Sequence, residues 1–308
     1  MDSYIEFPKL GWKFAVDDTI VSLPFFGTEL TIKWYGVLIA VGFLLAVWYA
    51  FRNAKRFGIR RDPMMDVVLV CAVFAFVGAR LYYVLFSDSR SEYFANPLQI
   101  LAVWNGGLAI YGGVIMAFVT ALWMCRLKKV DTLRMFDLGA IGFFIGQAVG
   151  RWGNFFNQEA FGSNTTLPWG MSGSWISSYA NMTEGYDRAL PVHPTFLYES
   201  LWCLLGFLLL HTVSKKAYRF KGQLFSLYVI WYGTGRFFIE MLRTDSLYLG
   251  TMKVSCLVAA VSVLAGVILY TVLKGKGQGE PLSEVTIPLA DTAEKVTTEE
   301  ETENGDLH

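Results

Sequence analysis

The stretch GQAVGRWGNFFNQEAFG (146–162) ends an apolar run with a cation, two amide side chains and a carboxylate, namely Arg151, Asn154, Asn157 and Glu159. A helix end whose arginine reaches out to lipid headgroups would explain Arg151. It explains poorly the two asparagines and the glutamate. We therefore predict a polar site at this edge of a membrane.

A second polar group occurs in WYGTGRFFIEMLRTDS, where a helix would put Tyr232, Arg236, Glu240 and Arg243 on one face. An ionised side chain within a membrane is costly unless it faces a polar cavity or a partner. Two interpretations follow: an ion pair of Arg236 with Glu240 that only holds helices together, or a site for a charged ligand.

Two further polar residues lie in apolar runs. Arg80, in FVGARLYYVLF, is another cation, and Tyr35 begins a different run. Both also have structural interpretations. Arg80 would pair with a carboxylate such as Glu159 or Glu240, and Tyr35 would belong to an interfacial aromatic belt.

Two short motifs open further apolar runs. Tyr111 follows the paired glycines of WNGGLAIYGG, and His193, Tyr198 and Glu199 lie in HPTFLYES. Close helix packing would explain the glycines, and an interfacial position would explain the histidine. Taken with the other motifs, they favour one shared site.

Membrane-spanning helices must position these residues. Hydrophobic residues make up 54% of the 308 residues, and several apolar runs reach the roughly 20 residues that cross about 30 Å of hydrocarbon. We predict an all-α integral membrane protein with seven transmembrane helices. The predicted spans are 34–51, 66–86, 108–125, 136–150, 194–213, 223–242 and 254–273.

Basic residues set the predicted orientation, because cytoplasmic loops hold an excess of Lys and Arg. The loops after the first, third and fifth spans contain Arg52, Lys55, Arg56, Arg60, Arg61, Arg126, Lys128, Lys129, Arg134, Lys215, Lys216, Arg219 and Lys221. We predict that the N-terminus is outside and the C-terminus is cytoplasmic. All polar motifs then map to the outer half of the membrane, and the cytoplasmic ends carry only ordinary basic loops.

The chain divides into three predicted regions. Residues 1–33 form an outer-face N-terminal arm, and 34–273 form the seven-helix membrane domain, in which 151–192 is an outer-face loop region. We expect a small outward-facing head. Residues 274–308 form a cytoplasmic tail that we predict to be disordered, because acidic residues dominate it and large apolar side chains are scarce.

The chemistry expected at the site is anion binding. Arginines gathered in a low-dielectric setting call for an anionic ligand, and the forked donors of guanidinium suit phosphate. From the outer leaflet, the available phosphate is a lipid headgroup. The four cysteines form no CxxC pair and the three histidines are scattered, so we expect no metal site and no organic cofactor. We also expect no nucleic-acid partner.

These motifs resemble those of one family, the bacterial prolipoprotein diacylglyceryl transferases. GRWGNFFNQE (150–159) closely matches the family signature GRxGNFxNxE, and HPTFLYE and the RFxxExxR spacing that begins at Arg236 repeat the match independently. The resemblance runs from about Trp34 to Gly250 and implies a multi-pass protein of the bacterial cell (inner) membrane.

The resemblance also implies an activity. The family transfers the sn-1,2-diacylglyceryl group from phosphatidylglycerol to the lipobox cysteine thiol of a prolipoprotein signal peptide, as the first step of lipoprotein maturation. A thioether forms and glycerol phosphate leaves. Arg151 and Arg236 resemble the family's essential arginines for the headgroup. Further matched positions are Tyr35, Asn154, Glu159, His193, Tyr232 and Glu240.

Tyr111 departs from the family pattern. Many members have a histidine there, often proposed as the base that takes the thiol proton. Tyrosine, with a pKa of about 10, is a poor base at neutral pH. Either Tyr111 positions the headgroup, or His193, a carboxylate or the lipid phosphate accepts the proton.

The predicted roles combine these arguments. Arg151 and Asn154 would bind headgroup oxygens, and Glu159 would orient the arginines. The predicted catalytic residues are Arg151, Arg236, Tyr111, His193 and Glu159. The predicted substrate-binding residues are Arg151, Asn154, Tyr35, Arg80, Tyr232, Glu240 and Arg243.

One alternative function is an outer-leaflet lipid or anion transporter that uses the same arginine-lined cavity. Transporters usually show an internal repeat and a site near the membrane midplane. The sequence shows no such repeat, and the polar residues lie towards one side. A purely structural membrane partner would keep the glycines but would have no use for Arg236 and His193.

Overall fold

A computed structural model of the chain describes residues 3–25, 28–87, 90–103, 106–182, 186–244, 248–249, 252–276 and 282. Most of these residues are helical. The helices are α1 (Trp34–Asn53), α2 (Arg61–Phe86), α3 (Arg90–Ala95), α4 (Leu98–Leu101), α5 (Ile110–Leu127), α6 (Thr132–Asn157), α7 (Ser174–Met182), α8 (Thr195–Lys216), α9 (Gln223–Leu242) and α10 (Val254–Lys276). The strands are β1 (Tyr4–Phe7), β2 (Trp12–Ala15), β3 (Thr19–Phe25), β4 (Thr28–Lys33), β5 (Ser172–Gly173), β6 (Tyr248–Leu249) and β7 (Met252–Lys253).

The chain is a helical membrane protein. Within the described ranges, six helices are long and apolar enough to cross a membrane: α1 with the turn after it, α2, α5, α6, α8 and α10. Helix α9 has 20 residues and coincides with the predicted span 223–242, but it is not among those six. A long helix therefore occurs at each of the seven predicted positions.

Helix α6 is longer than the predicted span 136–150. It begins earlier because the side chain of Asp131 accepts a hydrogen bond from the Arg134 N–H (3.2 Å) and so caps the first turn. It continues through the polar signature, where Arg151 has a partner on α8 and Asn154 and Asn157 bind Glu159 just beyond the helix end. It ends at Asn157, and the next residue, Gln158, has a left-handed φ of 51°.

Helix α6 is the centre of the bundle, packing against α1, α8 and α9, while α2 packs against α5 and α10 against α9. Small residues allow the tightest approach. A Cβ on Gly42 of α1 would lie 3.0 Å from the Gly146 carbonyl oxygen of α6. Part of the glycine stripe on α6 thus faces α1, as close helix packing requires.

Short strands accompany the helices, which the all-α prediction did not include. Strand β1 pairs antiparallel with β2 and β5, and β3 pairs with β4. Ile5 of β1 is buried in a second core with Phe161, Met171 and Val192. We call β1, β2, β5 and α7 the head. The head joins the N-terminal arm to the 151–192 region.

Gln158 connects the head to α6. Its side-chain amide donates to the Ser3 hydroxyl (2.9 Å), and its Oε1 accepts from the Trp175 N–H (3.0 Å). The side chain is buried, so these bonds fix the end of α6 against β1 and α7. The predicted disorder of the tail concerns residues that, apart from 274–276 and 282, lie outside the described part of the chain.

The opposite end of α6 holds a buried carboxyl group. Asp137 is 0% exposed. Its oxygens accept hydrogen bonds from the Tyr218 hydroxyl (2.7 Å), the Gly222 N–H (2.7 Å) and the Phe225 N–H (2.8 Å). We call these four residues the Asp137 cluster. The sequence analysis did not single out Asp137, which lies inside the apolar run and not in a basic loop.

The Asp137 cluster connects α6 to the start of α9. Gly222 precedes that helix with a φ of 83°, which favours glycine, and its N–H points at the Asp137 carboxyl. Burial and the neighbouring carboxyl raise the pKa of Tyr218, so its hydroxyl remains a donor. The cluster thus fixes where α9 begins relative to α6.

Candidate functional site

A buried carboxylate, Glu199 of α8, joins the two predicted headgroup arginines. Its Oε1 lies 2.5 Å from Nη2 of Arg151 on α6, and its Oε2 lies 3.1 Å from Nη1 of Arg236 on α9. The Tyr232 hydroxyl donates to Oε1 at 3.4 Å. We call these four residues the Glu199 cluster. Three helices supply them.

The cluster has a buried side and an accessible side. The Glu199 side chain is 4% exposed, whereas those of Arg151 and Arg236 are 22% and 20% exposed. Glu199 therefore lies behind the arginines and offsets the repulsion between their like charges. The accessible guanidinium edges are where an anion can bind.

The signature segment extends the cluster along α6. Nη1 of Arg151 donates to Oδ1 of Asn154 (3.4 Å), and Asn154 donates to Oε1 of Glu159 (2.9 Å). Asn157 donates to the same oxygen (3.1 Å). The prediction that Glu159 orients both arginines does not match these contacts. Glu159 lies beyond the end of α6 and reaches Arg151 through Asn154, whereas Glu199 contacts both arginines.

Helix α9 supplies the other half of the site. Arg236 and Glu240 are one helical turn apart, with Nη2 2.7 Å from Oε2. The ion pair of the structural interpretation therefore exists, but it lies within one helix, and Arg236 also binds Glu199. Arg243 follows the helix end, where its N–H donates to the Glu240 carbonyl oxygen (3.1 Å).

Tyr35 reaches the site because α1 packs closely on α6. A Cβ on Gly153 would lie 2.4 Å from Cδ2 of the Tyr35 ring, so the ring rests against bare backbone. Arg151 and Glu159 both act electrostatically on the Tyr35 hydroxyl. The structure thus brings Tyr35 to the α6 side of the cluster, as the sequence predicted.

His193 belongs to a neighbouring group rather than to the cluster. Its Nδ1 lies 3.1 Å from the Tyr198 hydroxyl oxygen, which accepts a hydrogen bond from Nε1 of Trp169 (2.8 Å). Partial burial lowers the pKa of His193, so its imidazole is neutral at pH 7. Within the described residues, no hydrogen bond links His193 to Arg151 or Arg236.

Arg80 lies elsewhere and has different partners. It is buried, and its guanidinium donates to backbone carbonyl oxygens of α4 and of the loop between α4 and α5. These oxygens belong to Gln99 (2.8 Å), Ile100 (2.8 Å), Ala102 (3.4 Å), Gly106 (2.7 Å) and Gly107 (3.0 Å). Among the described residues, Arg80 forms no ion pair with Glu159 or Glu240, the two carboxylates that the structural interpretation named. Substrate binding by Arg80 stays a prediction.

Tyr111 is 60% exposed on the first turn of α5. Its neighbour Gly112 packs so closely on α2 that a Cβ there would lie 2.3 Å from the Gly78 carbonyl oxygen. This contact holds the start of α5 against α2. Among the described residues, no hydrogen bond or ring contact joins Tyr111 to the Glu199 cluster.

Glu199 is the residue that the sequence analysis named only as part of a motif. A usable signal was present: Glu199 lies one turn inside an apolar run and has no basic residue one turn away on either side. An unpaired acid at membrane depth predicts a partner on another helix. No group of three or more His, Cys, Asp or Glu side chains in the described ranges is placed to hold a metal.

Comparisons with known proteins agree with this geometry. A family model described as prolipoprotein diacylglyceryl transferase matches residues 23–272. Three relatives bear the name phosphatidylglycerol–prolipoprotein diacylglyceryl transferase. One from Finegoldia magna is 43% identical over 250 residues, which cover 81% of this chain and 93% of the relative. One from Bacillus cereus is 40% identical over 250 residues, covering 81% and 90%. One from Staphylococcus haemolyticus is 39% identical over 242 residues, covering 78% and 83%. With most of its length matched in this way, the chain belongs to the prolipoprotein diacylglyceryl transferase family.

Proposed function

We propose that this chain, a transferase by its family, moves the sn-1,2-diacylglyceryl group of phosphatidylglycerol to the lipobox cysteine thiol of a prolipoprotein signal peptide. The observation that carries the proposal is the buried Glu199 holding Arg151 and Arg236 side by side. Two adjacent guanidinium groups form a receptor for one phosphate. The relatives bear transferase names, and no observation favours the transporter alternative.

The arginines act on the leaving group. The cysteine sulfur forms a bond to the glyceryl carbon, the bond from that carbon to the phosphate oxygen breaks, and its electron pair stays on the departing glycerol phosphate. Negative charge therefore grows on the oxygen that faces Arg151 and Arg236. Fixed donors at such a position stabilise the transition state more than the ground state.

The thiol must lose a proton to react, since the free cysteine has a pKa of about 8.5. In this proposal the acceptor is His193, a carboxylate or the lipid phosphate, and Tyr111 acts in positioning. Burial keeps His193 neutral, as a proton acceptor must be. Glu159, bound by Asn154 and Asn157, serves by holding the α6 side of the site.

The proposal includes a place for the molecule. We place it in the bacterial cell (inner) membrane with seven spans, the head outside and the C-terminus in the cytoplasm. Seven long helices support the count, and the basic loops after α1, α5 and α8 support the orientation. In this arrangement the Glu199 cluster faces the outer leaflet.

A reconstituted assay tests the function. The purified chain, vesicles that contain phosphatidylglycerol and a lipobox peptide are mixed, and release of glycerol phosphate is measured against a peptide with Cys→Ser. We expect release that depends on the cysteine. Lipid that moves between leaflets without being consumed would instead identify a transporter.

Two arginine variants test the site. Arg151→Gln should reduce release by about 10²–10³-fold, as loss of a transition-state donor does. Arg126→Gln is the matched control, because in the described part of the chain that exposed arginine donates only to its own helix, at the Leu122 carbonyl (3.4 Å). Equal activity of the two variants, both folded, would refute the role of Arg151.

A further inference from the structure

A third cationic group lies at the opposite end of the bundle, beside α1 and α8. Arg56 is in the turn that follows α1, and its Nη2 donates to the Ser214 hydroxyl of α8. Its Nε is buried and has no hydrogen-bond partner among the described residues. Nor does any carboxylate in that part of the chain form an ion pair with it.

Helix α8 adds two further basic side chains, His211 and Lys215, to this group. His211 lies one turn before Lys215, and both Arg56 and Lys215 act electrostatically on its ring. Nδ1 of His211 is 2.7 Å from the Tyr49 hydroxyl oxygen, and the Ser214 hydroxyl donates to the His211 carbonyl (2.7 Å). Arg56, His211, Ser214 and Lys215 therefore converge without a negative charge between them.

The position of the group indicates which anion it can bind. From Tyr35, beside the Glu199 cluster, to Arg56, α1 and its final turn rise about 30 Å, the thickness of the hydrocarbon layer. Arg56 thus lies at the level of the headgroups of the other leaflet. A partly buried guanidinium without an anion is costly, and the anion available at that depth is a phospholipid phosphate.

The surface beside the group is apolar enough for acyl chains. The rings of Tyr49 and Phe207 pack edge to face at 5.6 Å where α1 and α8 meet. On the same two helices, Trp48 is 58% exposed and Leu208 is 50% exposed. A phosphate at Arg56 would leave its lipid chains along these side chains.

We propose that Arg56, His211 and Lys215 bind the phosphate of an anionic phospholipid in the leaflet opposite the Glu199 cluster, with the Ser214 hydroxyl holding Arg56 in place. The lipid bound there is a ligand that is retained, since the reacting arginines are a membrane thickness away. The site is independent of the proposed reaction, so measurements of lipid binding test it without an activity assay.

The test uses the full chain in detergent with Arg151→Gln as background, so that the paired-arginine receptor of the Glu199 cluster is removed. Thermal unfolding is followed while phosphatidic acid or phosphatidylcholine with the same acyl chains is added, and retained lipid is counted by native mass spectrometry. We expect phosphatidic acid to be retained and to raise the unfolding temperature. Phosphatidylcholine should do neither.

Variants assign the binding to Arg56. Arg56→Gln should weaken phosphatidic acid binding about tenfold, the usual effect of losing a hydrogen bond to a charged group. Arg52→Gln is the matched control, one turn earlier on α1, where the guanidinium lies over the Trp48 ring (5.4 Å). If Arg56→Gln does not fold, Ser214→Ala takes its place, with an expected loss of a few-fold.

Three results would overturn the proposal. Equal retention of the two lipids would show no selection for negative charge. Equal binding by Arg56→Gln and Arg52→Gln would remove the assignment. Inorganic phosphate that stabilises the chain as well as phosphatidic acid would show a site for a free anion and not for a lipid.

Discussion

Glu199 and Asp137 are buried acids at opposite ends of the same helix bundle, and they differ in what surrounds them. Glu199 contacts two arginines whose side chains are about one-fifth exposed. Asp137 contacts a tyrosine hydroxyl and two backbone N–H groups, all supplied by the fold. One carboxyl is paired with partly exposed charged side chains, and the other with neutral donors.

This difference separates a binding site from a structural joint. Each guanidinium has five N–H donors, and in the described part of the chain its contacts engage only the two terminal nitrogens. Donors remain for a ligand. The Asp137 cluster leaves no accessible edge, because the carboxyl is wholly covered. Burial alone therefore does not identify a functional acid. What identifies it is that its partners keep N–H donors with which they can bind a ligand.

The largest effect should come from Glu199→Gln. An amide can hold one arginine at most, so Arg151 and Arg236 would lose their shared counter-charge and their spacing. We expect glycerol phosphate release per folded molecule to fall by about 10²–10³-fold. Activity within about threefold of the unmodified chain would contradict the role given to Glu199.

Asp137→Asn should act on stability instead. The new amide nitrogen would face donors such as the Gly222 N–H, and buried donors without acceptors cost about 1–3 kcal/mol each. We expect the free energy of unfolding in detergent to fall by about 2–3 kcal/mol. Release per folded molecule should stay within about twofold. If activity is lost and stability is unchanged, Asp137 has a functional role like that of Glu199, and the distinction between the two acids is wrong.

A pair of glycine variants on α6 tests the geometry around the Glu199 cluster. Gly153→Ala puts a Cβ 2.4 Å from the Tyr35 ring, whereas Gly150→Ala meets nothing within 4 Å. Overpacking costs about 1–3 kcal/mol, so we expect about a tenfold loss of activity from the first and none from the second. Equal effects would mean that Tyr35 does not need its place beside α6.

The smallest effects should come from the two tyrosines. Tyr218→Phe removes one hydrogen bond to Asp137, and the free energy of unfolding should fall by about 1 kcal/mol. Tyr232→Phe removes the longer bond to Glu199, and we expect KM for phosphatidylglycerol to rise about threefold with little change in stability. A KM change from Tyr218→Phe and a stability loss from Tyr232→Phe would contradict the roles given to the two clusters.

The sequence was informative where periodicity or a motif carried the signal. Helix α9 has the predicted bounds, because an aromatic and aliphatic run is closed by Gly222 and by Arg243. The face shared by Tyr232, Arg236 and Glu240 follows from helical spacing, and the structure brings all three to the site. For residues on one helix, spacing in the sequence is enough to predict that they share a face.

What the sequence could not supply was pairing between distant segments. The choice of Glu159 over Glu199 followed nearness in the chain, but Arg151 meets a carboxylate on another helix. Asp137 was overlooked because a single acid in an apolar run does not reveal the N–H groups that cover it. The β1–β5 pairing joins segments more than 160 residues apart, which no local pattern encodes.

The bonds of Gln158 give the head a practical use. The backbone N–H of Trp175, in the head, donates to the Gln158 side chain, which follows the helix that carries Arg151. A shift of that helix must therefore strain this hydrogen bond or move Trp175. Its indole is exposed to solvent. Fluorescence that is lost in Trp175→Phe would therefore report a movement of α6 when a ligand binds at the Glu199 cluster, without any attached dye.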